Sequence, residues 1–300
     1  MSVAVVLMAY GSPDRIDDVP AYYADIRGGR PISPEHLAGL IDRYRRLGIE
    51  HSNPLNEITE ATRAALEQEL DLRVLTGMRH WTPRIAEAVE CAIAEGATTI
   101  VGLVLAPHYS SMSIEKYRGL LEGAIAGRTE LRFVERWGAD PGFVELLAAK
   151  LVADSNYLSA HVVFTAHSLP ARILDEGDPY RDELLETAVA IAERAALGDR
   201  WTFSFQSASP TGEPWLEPDI LDHLEALAAQ GVGAVLLCPI GFVSDHLEIR
   251  WDLDTEAMHR AAELGVHLSR IEMPNADPAF VRVLAGLVRR EVPTAVPSRT

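Results

Sequence analysis

ADPGFVELLA at 139–148 and ADPAFVRVLA at 276–285 are two copies of one phrase. Each carries an Asp suited to cap a helix, a Pro at the first helical position, and the same apolar spacing behind it. Other pairs extend the correspondence. MAYGSP at 8–13 matches TAHSLP at 165–170, and LAPHYSSMSIEKY at 105–117 stands in the place of LCPIGFVSDHLEI at 237–249. Around these landmarks short apolar runs alternate with amphipathic stretches. The runs Val3–Ala9, 72–76, 99–105 and 131–134 predict strands in the first half, and 160–166, 201–205, 233–238 and 267–271 in the second. Helices are expected near 34–46, 57–69, 83–95, 114–127, 141–153, 179–195, 217–229, 246–263 and 277–291. Short buried-type strands separated by helices indicate parallel sheets covered on both faces. The expected fold class is therefore α/β: two similar doubly wound, Rossmann-like domains, each a four-stranded parallel sheet, with a cleft between them. DSNYLS at 154–159 breaks the periodicity, which places the domains at 1–153 and 154–300. Such duplicated units bind ligands at the carboxyl ends of their strands.

Composition narrows the function. The chain has 300 residues, 48% of them hydrophobic, and a formal net charge of −17. That charge argues against nucleic acid and anionic membranes as partners. No apolar run approaches the roughly 18 residues of a membrane span. The start of the chain lacks a basic n-region, so a periplasmic-type binding protein is disfavoured. Two cysteines, Cys91 and Cys238, make no disulfide framework and no metal-ligand spacing, which leads us to expect a cytoplasmic protein.

The chemistry concentrates at 238–256, CPIGFVSDHLEIRWDLDTE. Glu248, Asp252 and Glu256 recur at every fourth position, so on an α-helix they drift by only about 40° per step and share a face. Like charges so spaced oppose the helix by a few tenths of a kcal/mol per pair. A solvated acidic face is the plain explanation; a route for cations or protons is the functional one. The repeat favours the second, because Glu248 follows a strand end, as do His167 in FTAHSLP and Tyr10 in MAYGSP. His167 and Tyr10 hold equivalent places in the two halves and would face each other across the cleft. One imidazole with one carboxylate is too few ligands for a structural zinc site and suits a metal held briefly. No GxGxxG, Walker loop or GxSxG elbow is present. His108 and Tyr109 read as wall residues. Arg27, Arg30, Arg43, Arg45 and Arg46 are either surface arginines or a clamp for ligand carboxylates.

These residues resemble the ferrochelatases, most closely the bacterial coproporphyrin ferrochelatases, nearly end to end. The landmarks are MAYGSP, YYADIRGGR, LIDRYRRLG, PLNEIT, LAPHYSSMSIEKY, FTAHSLPARI, FQSASP, PWLEPD, GFVSDHLEIRWDLD and EMPNADPAF. The resemblance implies insertion of Fe2+ into a porphyrin, coproporphyrin III, to give coproheme, with iron as substrate and no tightly bound cofactor. It implies that His167 and Glu248 face the metal and that Tyr10 ligates iron from the opposite side. By the same resemblance Arg27, Arg43, Tyr44, Tyr117 and Trp215 contact the porphyrin, and Asp252 and Glu256 line the path outward. The expected pattern breaks at GIEHSNPL (48–55), where a Gly-Gly-x-Ser-Pro-Leu turn is usual; a propionate contact would fall to Ser52 or Asn53. The end of the chain soon after Arg290 matches soluble monomeric relatives. Base and metal-ligand roles could be exchanged between His167 and Glu248. A cobalt or nickel chelatase of a related tetrapyrrole, or a non-catalytic tetrapyrrole-binding protein, are the alternatives.

Overall fold

The computed structural model describes residues 2–49, 53–209 and 212–292. Among the described residues, eight strands form two separate four-stranded parallel sheets. The first contains β1 (Val3–Ala9), β2 (Arg73–Met78), β3 (Thr99–Val104) and β4 (Glu130–Val134), in the order β2-β1-β3-β4. The second contains β5 (His161–His167), β6 (Trp201–Gln206), β7 (Ala234–Pro239) and β8 (His267–Arg270), in the order β6-β5-β7-β8. The orders are the same once each strand is replaced by its counterpart, so the duplication visible in the letters is a duplication of topology. Ten α-helices cover the sheets: α1 (Val19–Ile26), α2 (Pro34–Arg46), α3 (Pro54–Leu70), α4 (Ile85–Ala94), α5 (Ile114–Ile125), α6 (Pro141–Ala153), α7 (Tyr180–Arg194), α8 (Ile220–Ala229), α9 (Met258–Leu264) and α10 (Pro278–Glu291).

The twin phrases do what their letters suggest. Asp140 Oδ1 accepts the Gly142 N–H at 2.9 Å to start α6, and Asp277 Oδ1 accepts the Ala279 N–H at 2.8 Å to start α10. Behind the caps, Phe143, Leu147, Phe280 and Leu284 are fully buried. They belong to one apolar cluster that includes Val5, Leu7 and Leu103 of the first sheet and Val162, Phe164 and Leu236 of the second. The two halves therefore share a core. The last helix reinforces this by packing on α3, with Arg289 3.0 Å from Glu69 and Arg290 2.6 Å from Asp140. Among the described residues no helix is long and apolar enough to cross a membrane.

One expected helix is different in kind. The stretch expected as a single α-helix at 246–263 is a π helix over Ile249–Ala257, becoming α9 only at Met258. The apolar residues Ile249, Leu253, Ala257 and Ala261 repeat every fourth position and are all fully buried, which an i→i+5 winding also keeps on one side. The short helix α1 lay outside the periodic reading because its eight residues carry only two buried positions, Val19 and Tyr22.

Phe280 sits 6.0 Å from Trp137 and 6.4 Å from Phe143, ring to ring, at the centre of the shared core. We expect Phe280→Ala to cost about 3–5 kcal/mol. Urea unfolding should show both halves losing structure in one earlier transition; two separated transitions would contradict a shared core.

Candidate active site

Each sheet opens where its first strand parts from its third. β5 and β7 are paired as far as Thr165 and Pro239, while β5 continues beside β6 to the His167–Gln206 pair. The backbone N–H groups of Ile240 and Gly241 turn back to the Thr165 carbonyl at 2.9 and 3.3 Å. Gly241 is required there: a Cβ would lie 2.6 Å from the Ala166 Cβ. The crevice beyond this parting is the switch point of a doubly wound sheet, where such folds bind ligands. His167 and Glu248 stand at it, His167 ending β5 and Glu248 immediately preceding the π helix.

His167 Nε2 lies 3.7 Å from Glu248 Oε1, and His246 Nε2 lies 3.5 Å from Glu248 Oε2. Both imidazoles are anchored by their other nitrogen. His246 Nδ1 donates to the Ser244 carbonyl at 2.9 Å, and His167 Nδ1 donates to the Ser168 carbonyl. This second bond aims each Nε2 at the carboxylate, as it does in histidines that bind metals. Phe242 lies between the two rings, 4.5 Å from His246 and 6.3 Å from His167. The loop is held from behind by Asn275, whose Oδ1 accepts the Asp245 N–H and whose Nδ2 donates to Asp245 Oδ2, both at 2.8 Å. Arg270 joins Asp245 to Asp254. The Glu248 side chain is 39% exposed, and its position at the head of a helix favours its negative charge.

Charge shapes this site. Burial lowers the His167 pKa, but the adjacent Glu248 carboxylate outweighs it and raises the pKa to about 9. Burial pushes Glu248 up, and the two imidazoles outweigh it, holding the carboxyl well below its usual range. The pair therefore favours the imidazolium–carboxylate form over two neutral groups. Asp252 is displaced the other way: burial, then the Glu248 charge, lift it to about 7. Ser207, in a left-handed conformation with φ of 64°, donates its hydroxyl to Asp252. Glu256 Oε1 accepts the Trp251 indole N–H at 2.7 Å. On the π helix each four-residue step falls short of a full turn, where on an α-helix it would overshoot, so the acidic row persists with the opposite drift.

The other expected site residues divide. Tyr10 is 40% exposed at the end of β1, 4.6 Å from the His80 ring and beneath Arg79 at 5.9 Å. Its pKa is raised to about 12 by burial and next by the charge of Glu248, the residue it was expected to face. The Trp215 ring lies 6.5 Å from that of His167. The Arg43 and Arg46 guanidiniums lie 5.1 and 5.0 Å from the Trp251 ring, and Arg43 offsets the elevation of Asp252. Tyr44 and Tyr117 are buried, at 2% and 3% exposure, and support the walls from within. Arg27 is exposed and exchanges hydrogen bonds with Arg30 across the Gly28–Gly29 turn. Asn53 is 2% exposed and fully engaged: its oxygen caps α3 through the Leu55 N–H, and its nitrogen donates to Ser12 Oγ at 2.6 Å. It is a structural residue, not a free donor for a propionate. Ser52 lies outside the described residues.

Sequence reading did not single out His246, Phe242 or Ser207. His246 stands two positions before Glu248, a spacing that points apart on a helix. The chain there is a loop, and no periodicity reports where a loop side chain goes. Among the described residues no three His, Cys, Asp or Glu side chains are arranged to hold a metal.

The arrangement belongs to the chelatase class of folds. SirB from Bacillus subtilis, solved with Fe3+, superposes with a TM-score of 0.60 at 11% identity, covering 97% of this chain and 96% of that one. CbiX, described as the terminal enzyme of sirohaem biosynthesis in denitrifying bacteria, gives 0.56 at 14% identity, covering 98% and 100%. The family follows from the sequence itself. The ferrochelatase family model matches residues 2–292. A ferrochelatase of Herpetosiphon aurantiacus is 44% identical, over 95% of this chain and 97% of its own length. The coproporphyrin III ferrochelatase of Halalkalibacterium halodurans is 36% identical, over 97% of each chain. This chain belongs to the ferrochelatase family, the porphyrin metal chelatases that insert iron.

The ion pair yields a pH expectation. A raised His167 pKa contributes stability that is complete below the unfolded-state value near 6.5. That contribution is lost as pH climbs through about 9. In Glu248→Gln the ring should titrate at or below the ordinary range, and the extra loss of stability between pH 6.5 and 9 should vanish. NMR titration of the His167 ring with parallel denaturant curves would decide it; a ring still titrating near 9 would exclude Glu248 as the cause.

Proposed function

We propose that this chain inserts Fe2+ into coproporphyrin III, forming Fe-coproporphyrin III in haem biosynthesis. The observation that carries the reading is the convergence of His167, His246 and Glu248 just beyond the end of β5, with Tyr10 within reach of the Glu248 charge. Porphyrin lies between the walls, with Tyr10 on one face as the axial ligand of iron in the product and the His167–Glu248 pair on the other. Relatives named coproporphyrin III ferrochelatases at 36% identity over nearly the full length support the substrate. So do Arg79, over the Tyr10 ring, and Arg43, which acts on Asp252, as guanidinium groups near the expected site. Coproporphyrin carries propionates where protoporphyrin has vinyl groups, and guanidinium groups reward that difference. Iron is a substrate here, and the reaction needs no resident cofactor. We take the working form to be a cytoplasmic monomer.

The proton traffic follows from the charges. Glu248, anionic at rest, draws the cation and replaces part of its water shell. The arriving positive charge lowers the His167 pKa and expels its proton. Asp252, near 7, is the neighbour able to take that proton and release it again at neutral pH. Glu256 continues the route outward along the π helix. His167, now neutral, accepts the two pyrrole protons in turn as the metal enters the ring, passing the first to Asp252 before it takes the second. A cleft that bends the macrocycle would expose the nitrogen lone pairs and lower the barrier further.

His167→Ala and Glu248→Gln should each reduce kcat by at least about 10²-fold, with porphyrin affinity little changed. Anaerobic assays should compare coproporphyrin III with protoporphyrin IX, and Fe2+ with Co2+, because paired imidazoles also suit later divalent ions. Near-normal turnover in either variant would remove the pair from the mechanism. Faster metallation of protoporphyrin would overturn the substrate.

A further inference from the structure

We propose that Asp178 is a positioning residue: it clasps the loop after β3 to the start of α7 and thereby sets the spacing between the Tyr10 and His167 walls. Asp178 belongs to the second half, in the loop before α7. Its Oδ2 accepts three hydrogen bonds from the first half: from Ser110 Oγ at 3.0 Å, the Ser111 N–H at 2.7 Å and Ser111 Oγ at 2.8 Å. Its Oδ1 accepts the Tyr180 N–H at 3.0 Å. Glu183, one turn further along α7, adds a second stitch by accepting the Tyr109 N–H at 2.8 Å.

Both ends of this clasp run to the strand tips that carry the chemistry. On one side the Tyr180 hydroxyl donates to the His167 carbonyl at 3.0 Å. On the other, Met112 follows directly on the clasped serines, and its carbonyl accepts Arg79 Nη1 at 3.2 Å. Arg79 in turn covers the Tyr10 ring, and the His80 N–H bonds to the Tyr10 carbonyl at 2.9 Å. Tyr10 and His167 are thus joined by a continuous chain of contacts, and Asp178 is where that chain crosses from one half to the other. The shared apolar core already holds the halves together behind the sheets. The clasp lies at the carboxyl ends of the strands, where it governs the gap and not the fold. A flat ligand metallated between two walls depends on that gap, since a misplacement of about 1 Å can cost on the order of 10²-fold in rate.

The inference rests on the reading above only in taking Tyr10 and His167 as opposing faces. Asp178→Ala and the double variant Ser110→Ala/Ser111→Ala test it in the full chain. For Asp178→Ala we expect kcat for porphyrin metallation to fall about 10- to 100-fold, the spectrum of bound porphyrin to shift, and the unfolding midpoint to stay close to wild type. Amide exchange should accelerate at both strand tips, residues 9–11 and 166–168. The serine pair should give a smaller loss in the same direction, and should add little to Asp178→Ala when combined with it. If Asp178→Ala fails to fold, the serine variant carries the same readouts. Exchange confined to residues 110–111 and 178–180, with unchanged turnover and spectrum, would overturn the proposal. Exchange reports the clasp without reference to chemistry. If His167→Ala keeps its turnover while Asp178→Ala loosens both strand tips, the site reading fails and the clasp stands.

Discussion

A carboxylate held between two imidazoles at the head of a helix is the interaction around which this molecule is arranged. Glu248 stays ionised because His167 and His246 face it and because a helix begins at its backbone. Its charge then acts on its neighbours: it raises the His167 pKa, lifts Asp252, and raises the phenol pKa of Tyr10. Under the proposed function, this balance couples cation arrival to proton departure through electrostatics.

The scaffold serves that one carboxylate. Parallel strands leave their chemistry at their carboxyl ends, and duplication supplies two such ends facing one crevice. Pro239 and Gly241 end the β5–β7 pairing, and Gly241 lets the chain lie directly on Ala166. The turn so formed delivers His246 and Glu248 beside His167. Behind it Asn275 and Arg270 satisfy Asp245, so the loop that carries the site is tied to the second sheet. The π helix that follows keeps Asp252 and Glu256 near the same line while Ile249, Leu253 and Ala257 fill the core.

How much of this was legible beforehand depended on periodicity. The strands, most helices and the duplication announce themselves through repeating apolar positions and through caps such as Asp140 and Asp277. His167 and Tyr10 were accessible because each lies at a strand end marked by its neighbours, and Glu248 because it heads the acidic row that follows β7. His246 was not, because a loop has no period. The winding of the 249–257 segment was also hidden: residues four apart stay on one side of an α-helix and of a π helix alike, so the buried row reads the same in both. Asn53 shows the converse failure. A polar residue before a proline can cap a helix or contact a ligand, and only its burial and its bonds to Leu55 and Ser12 separate the two.

The central claim is that the metal is received by Glu248 together with the His167 imidazole. X-ray absorption spectroscopy on the porphyrin-free protein loaded with Co2+ or, anaerobically, with Fe2+ addresses it most directly. The account predicts a shell of nitrogen and oxygen ligands with the outer scattering typical of imidazole, and loss of that signature in Glu248→Gln. A metal bound with oxygen ligands only, or one whose spectrum is the same in the Gln variant, would contradict it.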